Sequence, residues 1–152
     1  MRALLLTMLV LAGGLSAAAA QQTGPKPDPT HVPYRLPADI EWTKDPEFGY
    51  YGAKLFGDAS KPGMYGILIK WPPHTFSTPH IHNGDRYVYV VSGTWWVSSS
   101  AHYDPSQTYP LPAGSFATDL AGQVHWDGAK DQETILELIG MGPATTTKVP
   151  EK

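Results

Sequence analysis

The sequence predicts an all-β domain, a small barrel or sandwich of short strands. Three observations carry this. Short apolar runs alternate with Gly, Pro and Asn-Gly turn clusters at regular spacing. No window sustains a 3.6-residue apolar period with caps, so little helix is expected. Finally, His80 and His82 are separated by one residue, which puts both side chains on one face of a strand but splays them on a helix.

The elements follow in chain order. Met1-Arg2 starts with a positive charge, Ala3 to Leu15 is apolar and uncharged, and Ala17 to Ala20 offers small residues for cleavage. That order is the pattern of a secretory signal peptide, residues 1–20, cut before Gln21. The run is short for a bilayer span, and Gly13-Gly14 interrupt it. The mature chain is therefore expected to be periplasmic or secreted, with no membrane segment after cleavage.

Residues 21–38 carry Pro25, Pro27, Pro29, Pro33 and Pro37 and read as an extended arm, with His31 solvated in it. Residues 39–146 form the β domain, and 147–152 a short tail. Asp39 to Lys44 fits a single helical turn. Strands are expected over Tyr50 to Phe56, Met64 to Trp71, Thr75 to His82, Tyr87 to Val91, Thr94 to Ser98, Ser115 to Thr118, Gln123 to Trp126 and Thr134 to Ile139. Asn83-Gly84 ends the third as a hairpin signal. Asp104 to Pro112 is rich in turn residues. Trp95 and Trp96 point to opposite faces, one packing the barrel. Trp126 points away from the cavity, and Tyr65, Tyr87 and Tyr89 are outward packing residues.

The mature part is one domain in size. The formal net charge of the chain is −3, and loss of Arg2 with the leader makes it −4. No Lys/Arg stripe points to nucleic acid, and a small-molecule partner is the better expectation. The chain has no cysteine. No disulfide or lipidated cysteine is possible, and a metal site must use imidazole and carboxylate.

His80 and His82 can offer two imidazoles to one point, and His125, from a neighbouring strand, can supply a third. Three neutral imidazoles with open positions suit one divalent transition metal: Fe, Mn, Zn, Cu or Ni. Alternation puts Arg86 on the same inner face as Val88 and Val90. A guanidinium there would bind the carboxylate of a substrate beside the metal. Otherwise the register shifts and Arg86 turns to solvent or to Asp85, or Arg86 weakens metal binding. Asp119 and Asp127 are possible replacement carboxylates. For Asp127 a turn with Gly128 is the plainer role. His74 and His102 read as surface residues. No G-x-S-x-G, phosphate-binding Gly loop or H-E-x-x-H helix is present.

The segments His80-x-His82-x-x-x-Arg86-x6-Gly93 and Gly114-x5-Leu120-x-Gly122-x-x-His125 resemble the paired motifs of the cupin superfamily. His80, His82, Gly93, Gly114, Gly122 and His125 match in register. His74, Leu120 and Ala129 replace a motif glycine, proline and asparagine, which are turn devices. Arg86 stands where cupins have a glutamate ligand, and arginine has no lone pair to give. The resemblance implies a single-domain double-stranded β-helix (jelly roll), a metal held by three ligands rather than four, and a homodimer. It also implies a metal-dependent enzyme acting on a small, anionic organic molecule. Three-histidine cupins include oxygenases that cleave dicarbonyl compounds, so dioxygenase-type chemistry leads, with lyase or isomerase chemistry open to the same ligands. The alternatives are a non-catalytic module that binds a small molecule or a metal, and a barrel whose histidines merely fill its interior.

Overall fold

The computed structural model describes residues 24–150; the expected leader, residues 1–20, lies outside them. The chain divides after Tyr34. Up to there residues 24–34 are exposed and contain no strand. They are tied locally by Asp28, which accepts from Thr30 N at 2.8 Å and Thr30 Oγ1 at 2.6 Å.

Among its described residues, the second unit has a 3-10 turn at Pro37–Asp39 and then twelve strands. These are β1 Thr43–Lys44, β2 Tyr51–Phe56, β3 Gly63–Trp71, β4 Thr75–Phe76, β5 His80–His82, β6 Arg86–Ser92, β7 Thr94–Ser98, β8 Tyr109–Pro112, β9 Phe116–Asp119, β10 Trp126–Ala129, β11 Thr134–Gly142 and β12 Thr146–Lys148. One sheet runs β1-β2-β3-β11-β6-β9, a second β4-β10-β7-β8, and a small third pairs β12 with β5. Every pairing is antiparallel. Among the described residues no helix is long and apolar enough to cross a membrane.

Period-two alternation builds the core. In β6, Val88 and Val90 are buried while Tyr87, Tyr89 and Val91 are exposed. In β11, Thr134, Leu136 and Leu138 turn inward. Ile69 and Trp71 from β3, Trp95 from β7 and Ala129 from β10 close the same cluster. Gly93 makes the β6–β7 turn at φ 76°, and a Cβ there would fall 2.4 Å from Glu133 O, so glycine is required by both conformation and space.

Several expected boundaries move. Thr75 to His82 is not one strand, because Pro79 has no amide to donate and interrupts the ladder. Asp39 to Lys44 is not a helical turn: the 3-10 turn lies earlier, and Thr43 and Lys44 pair with β2. The turn-rich Asp104 to Pro112 holds a 3-10 turn capped by Asp104 and then β8. Thr147 and Lys148, assigned to the tail, are strand residues that pair with Ile81 and His80. Tyr65 is not outward but fully packed in the core. It lies opposite Gly140 in the β3–β11 register, and the missing side chain there makes room for its ring.

Candidate metal centre

The site is assembled by backbone pairing. His80 donates its amide to His125 O at 2.9 Å and accepts from His125 N at 3.0 Å, an antiparallel bridge that carries the third imidazole to the first two. The pairing of β5 with β12 holds the other edge. The His80 and His82 rings are 4.8 Å apart, His80 and His125 4.5 Å, and His82 and His125 5.1 Å. One ligand atom from each lies within 4.8 Å of the others, so the three could hold a metal ion.

Their orientation fits that use. His80 Nδ1 lies 2.7 Å from Thr78 O, His82 Nδ1 3.3 Å from Thr145 O, and His125 Nδ1 3.3 Å from Gln123 O. A carbonyl can only accept, so the Nδ1 atoms of His80 and His125 carry the proton and their Nε2 atoms a lone pair, while His82 Nδ1 is shared between Thr145 O and the Thr146 hydroxyl at 3.1 Å. This is the outer-shell arrangement that orients metal-binding imidazoles. Among the described residues, His82 Nε2 is buried with no hydrogen-bond partner. Burial pushes the His82 pKa down to about 2, helped by Arg86 and the other two imidazoles. Burial also lowers that of His80, against the opposing field of Asp127. Both rings are therefore neutral and able to ligate at ordinary pH.

Arg86 shares the inner face with Val88, as alternation required, but its partner is neither solvent nor Asp85. Its Nη2 donates to Asp119 Oδ2 at 2.6 Å, directly across the β6–β9 ladder. Asp85 instead accepts from Ala121 N. The same Asp119 oxygen lies 3.6 Å from His125 Nε2, and Arg86 Nη2 lies 3.5 Å from that nitrogen. Arg86 Nε is buried without a partner.

Asp127 is not in a turn. It is a buried residue of β10, where Trp95 Nε1 donates to Oδ2 at 2.6 Å and Ser77 Oγ to Oδ1 at 3.1 Å. Those two donors outweigh the turn preference of Asp-Gly. Because β10 starts at Trp126, the strand expected over Gln123 to Trp126 lies three residues later. Trp126 does avoid the cavity, packing against Phe76 and Tyr103. His74 and His102 are exposed.

A cavity of about 40 Å³ inside the barrel is lined by His80, His82, Arg86, Asp119 and Asp127 together with Phe48, Tyr50 and Trp71. At roughly 10–15 Å³ for each water-sized occupant, that is room for an ion and a small group beside it. Phe48 stacks on His80 at 5.5 Å. Burial pushes the Tyr50 hydroxyl up to about 12, so it stays protonated as a donor. Sequence patterning carried no signal for Phe48 or Tyr50. A larger cleft of about 380 Å³, with Val97, Tyr109 and Leu111 on its walls, reaches Trp95, Asp119 and His125 from the other side. Asp119 thus lines both spaces.

A family model described as "Domain of unknown function (DUF4437)" matches residues 46–145, which span all three histidines, Arg86 and both buried aspartates. The chain belongs to the DUF4437 family. Solved structures place this DUF4437 chain in the cupin fold, the double-stranded β-helix. The polyketide cyclase RemF from Streptomyces resistomycificus is similar with TM-score 0.61 and 16% identity, over 78% of this chain and 87% of that one. An RmlC-like cupin protein from Ralstonia eutropha JMP134 gives 0.59 and 20%, over 77% and 73%. The DMSP lyase DddQ from Ruegeria pomeroyi DSS-3 gives 0.59 and 12%, over 76% and 64%. No curated protein sequence matches the chain.

Proposed function

We propose that this DUF4437 protein is a metal-dependent cupin enzyme that acts on a small organic anion. One observation carries the reading: one nitrogen from each of three imidazoles lies within 4.8 Å of the others, and His82 Nε2 is buried and unpartnered. Such a donor set suits one divalent transition metal, Fe, Mn, Zn, Cu or Ni. When bound, the metal would supply Lewis-acid polarisation of a substrate oxygen. The rest of the work falls to this chain's residues. A dication and Arg86 together outweigh Asp119 and Asp127 by one positive charge, which favours a monoanionic guest. Arg86 Nε is a spare donor for it. Phe48 and Trp71 exclude water, and the Tyr50 hydroxyl can donate to the guest.

Lyase or cyclase chemistry leads, supported by the names of two structural neighbours, a polyketide cyclase and a DMSP lyase. Dioxygenase-type turnover is the second reading and rests on the all-imidazole donor group. Export through the leader, to the periplasm or outside the cell, belongs to the same proposal. So does a homodimer, for which the exposed aromatic face of Tyr87, Tyr89 and Phe116 is the available surface.

Elemental analysis of the untagged mature protein is the test. Near-stoichiometric metal, lost in His82→Ala with the β circular dichroism intact, is expected. Less than about a tenth of an equivalent after reconstitution overturns the reading. Small carboxylates and diketones are then screened with oxygen uptake monitored. Turnover without uptake supports the leading chemistry, and uptake supports the second. Stoichiometric metal with ligand binding but no turnover replaces the enzyme by a binding module.

A further inference from the structure

We propose that Asp119 is a fourth protein donor to the metal, supplied from β9 in place of the carboxylate that β6 lacks. The inference rests on the metal reading above and goes beyond its three histidines.

Register makes the substitution possible. Arg86 and Asp119 are directly opposed partners in the β6–β9 ladder, so both side chains leave the same face of the sheet. A carboxylate missing from position 86 therefore returns to the same neighbourhood from the adjacent strand. On the His125 side the distance fits: Asp119 Oδ2 lies 3.6 Å from His125 Nε2, and donors sharing an ion through bonds of about 2.0–2.2 Å sit about 3–4 Å apart. The atoms already within 4.8 Å of one another are those of the three histidines, so Asp119 would join them by turning inward from Arg86.

Electrostatics point the same way. His125 Nδ1 faces Gln123 O, so its Nε2 presents a lone pair toward the Asp119 carboxylate. Two acceptors turned on each other call for a cation between them. Arg86 meets the carboxylate closely, at 2.6 Å, but the imidazole only at 3.5 Å. A guanidinium and a dication in one small cavity also require an anion placed to face both. Asp119 has that position. Asp127 does not compete, because Trp95 and Ser77 already hold its two oxygens.

Co²⁺ is the probe, titrated into the chelator-stripped mature chain and followed by its visible absorption and affinity. Arg86→Gln leaves Asp119 without its cation; it should keep the wild-type absorption pattern and bind Co²⁺ as tightly or more tightly. Arg86→Gln/Asp119→Asn removes both charges and leaves a neutral pair, and should change the pattern and weaken binding at least about tenfold. Asp119→Asn alone, isosteric and still able to accept from Arg86, gives the same readout if the double variant does not fold. An unchanged pattern with affinity within about twofold in the Asn variants would make Asp119 only the counter-ion of Arg86 and overturn the inference. No Co²⁺ uptake by the wild type and Arg86→Gln would instead overturn the metal reading on which it stands.

Discussion

The Trp95–Asp127 hydrogen bond should be among the most strongly coupled polar contacts behind the site. The indole is 2% exposed and the carboxylate 7%, and the contact is 2.6 Å long. A buried hydrogen bond to a charged acceptor contributes about 1.5–3 kcal/mol. Trp95→Phe leaves the carboxylate only the Ser77 hydroxyl and opens the space of the lost ring. Asp127→Asn keeps an oxygen for the indole but drops the charge. Because asparagine still accepts from the indole, the double-mutant cycle over these two changes should return the difference between a charged and a neutral acceptor, about 1 kcal/mol. Urea unfolding of the metal-free protein measures it. Trp95→Phe alone should lower the melting temperature by roughly 4 °C per kcal/mol lost. A coupling below about 0.5 kcal/mol would mean the carboxylate finds another donor, and the account of why it is buried would fail. Metal stoichiometry should be unchanged in Asp127→Asn, since the residue braces the wall of the site and does not ligate.

In the metal-stripped protein, acid should destabilise the fold through the buried imidazoles. Burial lowers both His80 and His82, the latter to about 2, so the folded state keeps them neutral while the unfolded chain takes protons below about 6.5. The stability they supply is thus full above about pH 6.5 and falls as pH drops toward 2, by at most about 1.4 kcal/mol per unit for each ring. Denaturation between pH 6.5 and 4.5 should show a shallower slope in His82→Gln; equal slopes would contradict the assignment. Gly93→Ala forces a Cβ to within 2.4 Å of Glu133 O at φ 76° and should cost about 1–3 kcal/mol, read as a lower urea midpoint at constant m-value.

Much of the fold was legible because alternation and turn chemistry are local. The β6–Gly93–β7 hairpin needs only Tyr-Val-Tyr-Val-Val, a glycine and Thr-Trp-Trp-Val-Ser; the observed β6 extends that reading by one residue at each end and β7 matches it. What local pattern missed depends on partners distant in sequence. Tyr65 looks like an outward aromatic until Gly140, 75 positions later, is set opposite it. Asp127-Gly128 reads as a turn until Ser77 and Trp95 are brought to its oxygens. The short strands β1, β8 and β12 carry almost no periodic signal, and each exists because a partner strand distant in sequence or across a turn lies beside it.

The site divides along the same line. The histidine spacing is a local fact, and it sufficed to name the three residues that converge. Arg86 was placed on the correct face, but its chemistry could not be read from β6 alone. Strand alternation says where a side chain points; only cross-strand register says what it meets. The meeting with Asp119 changes the problem from an arginine that removes a ligand to an ion pair that can restore one. A guanidinium alone would repel a dication, whereas a guanidinium neutralised at 2.6 Å by a carboxylate that also approaches His125 does not. The replacement at position 86 and the aspartate at 119 are therefore best understood as one paired feature, which is why the decisive variants change them together.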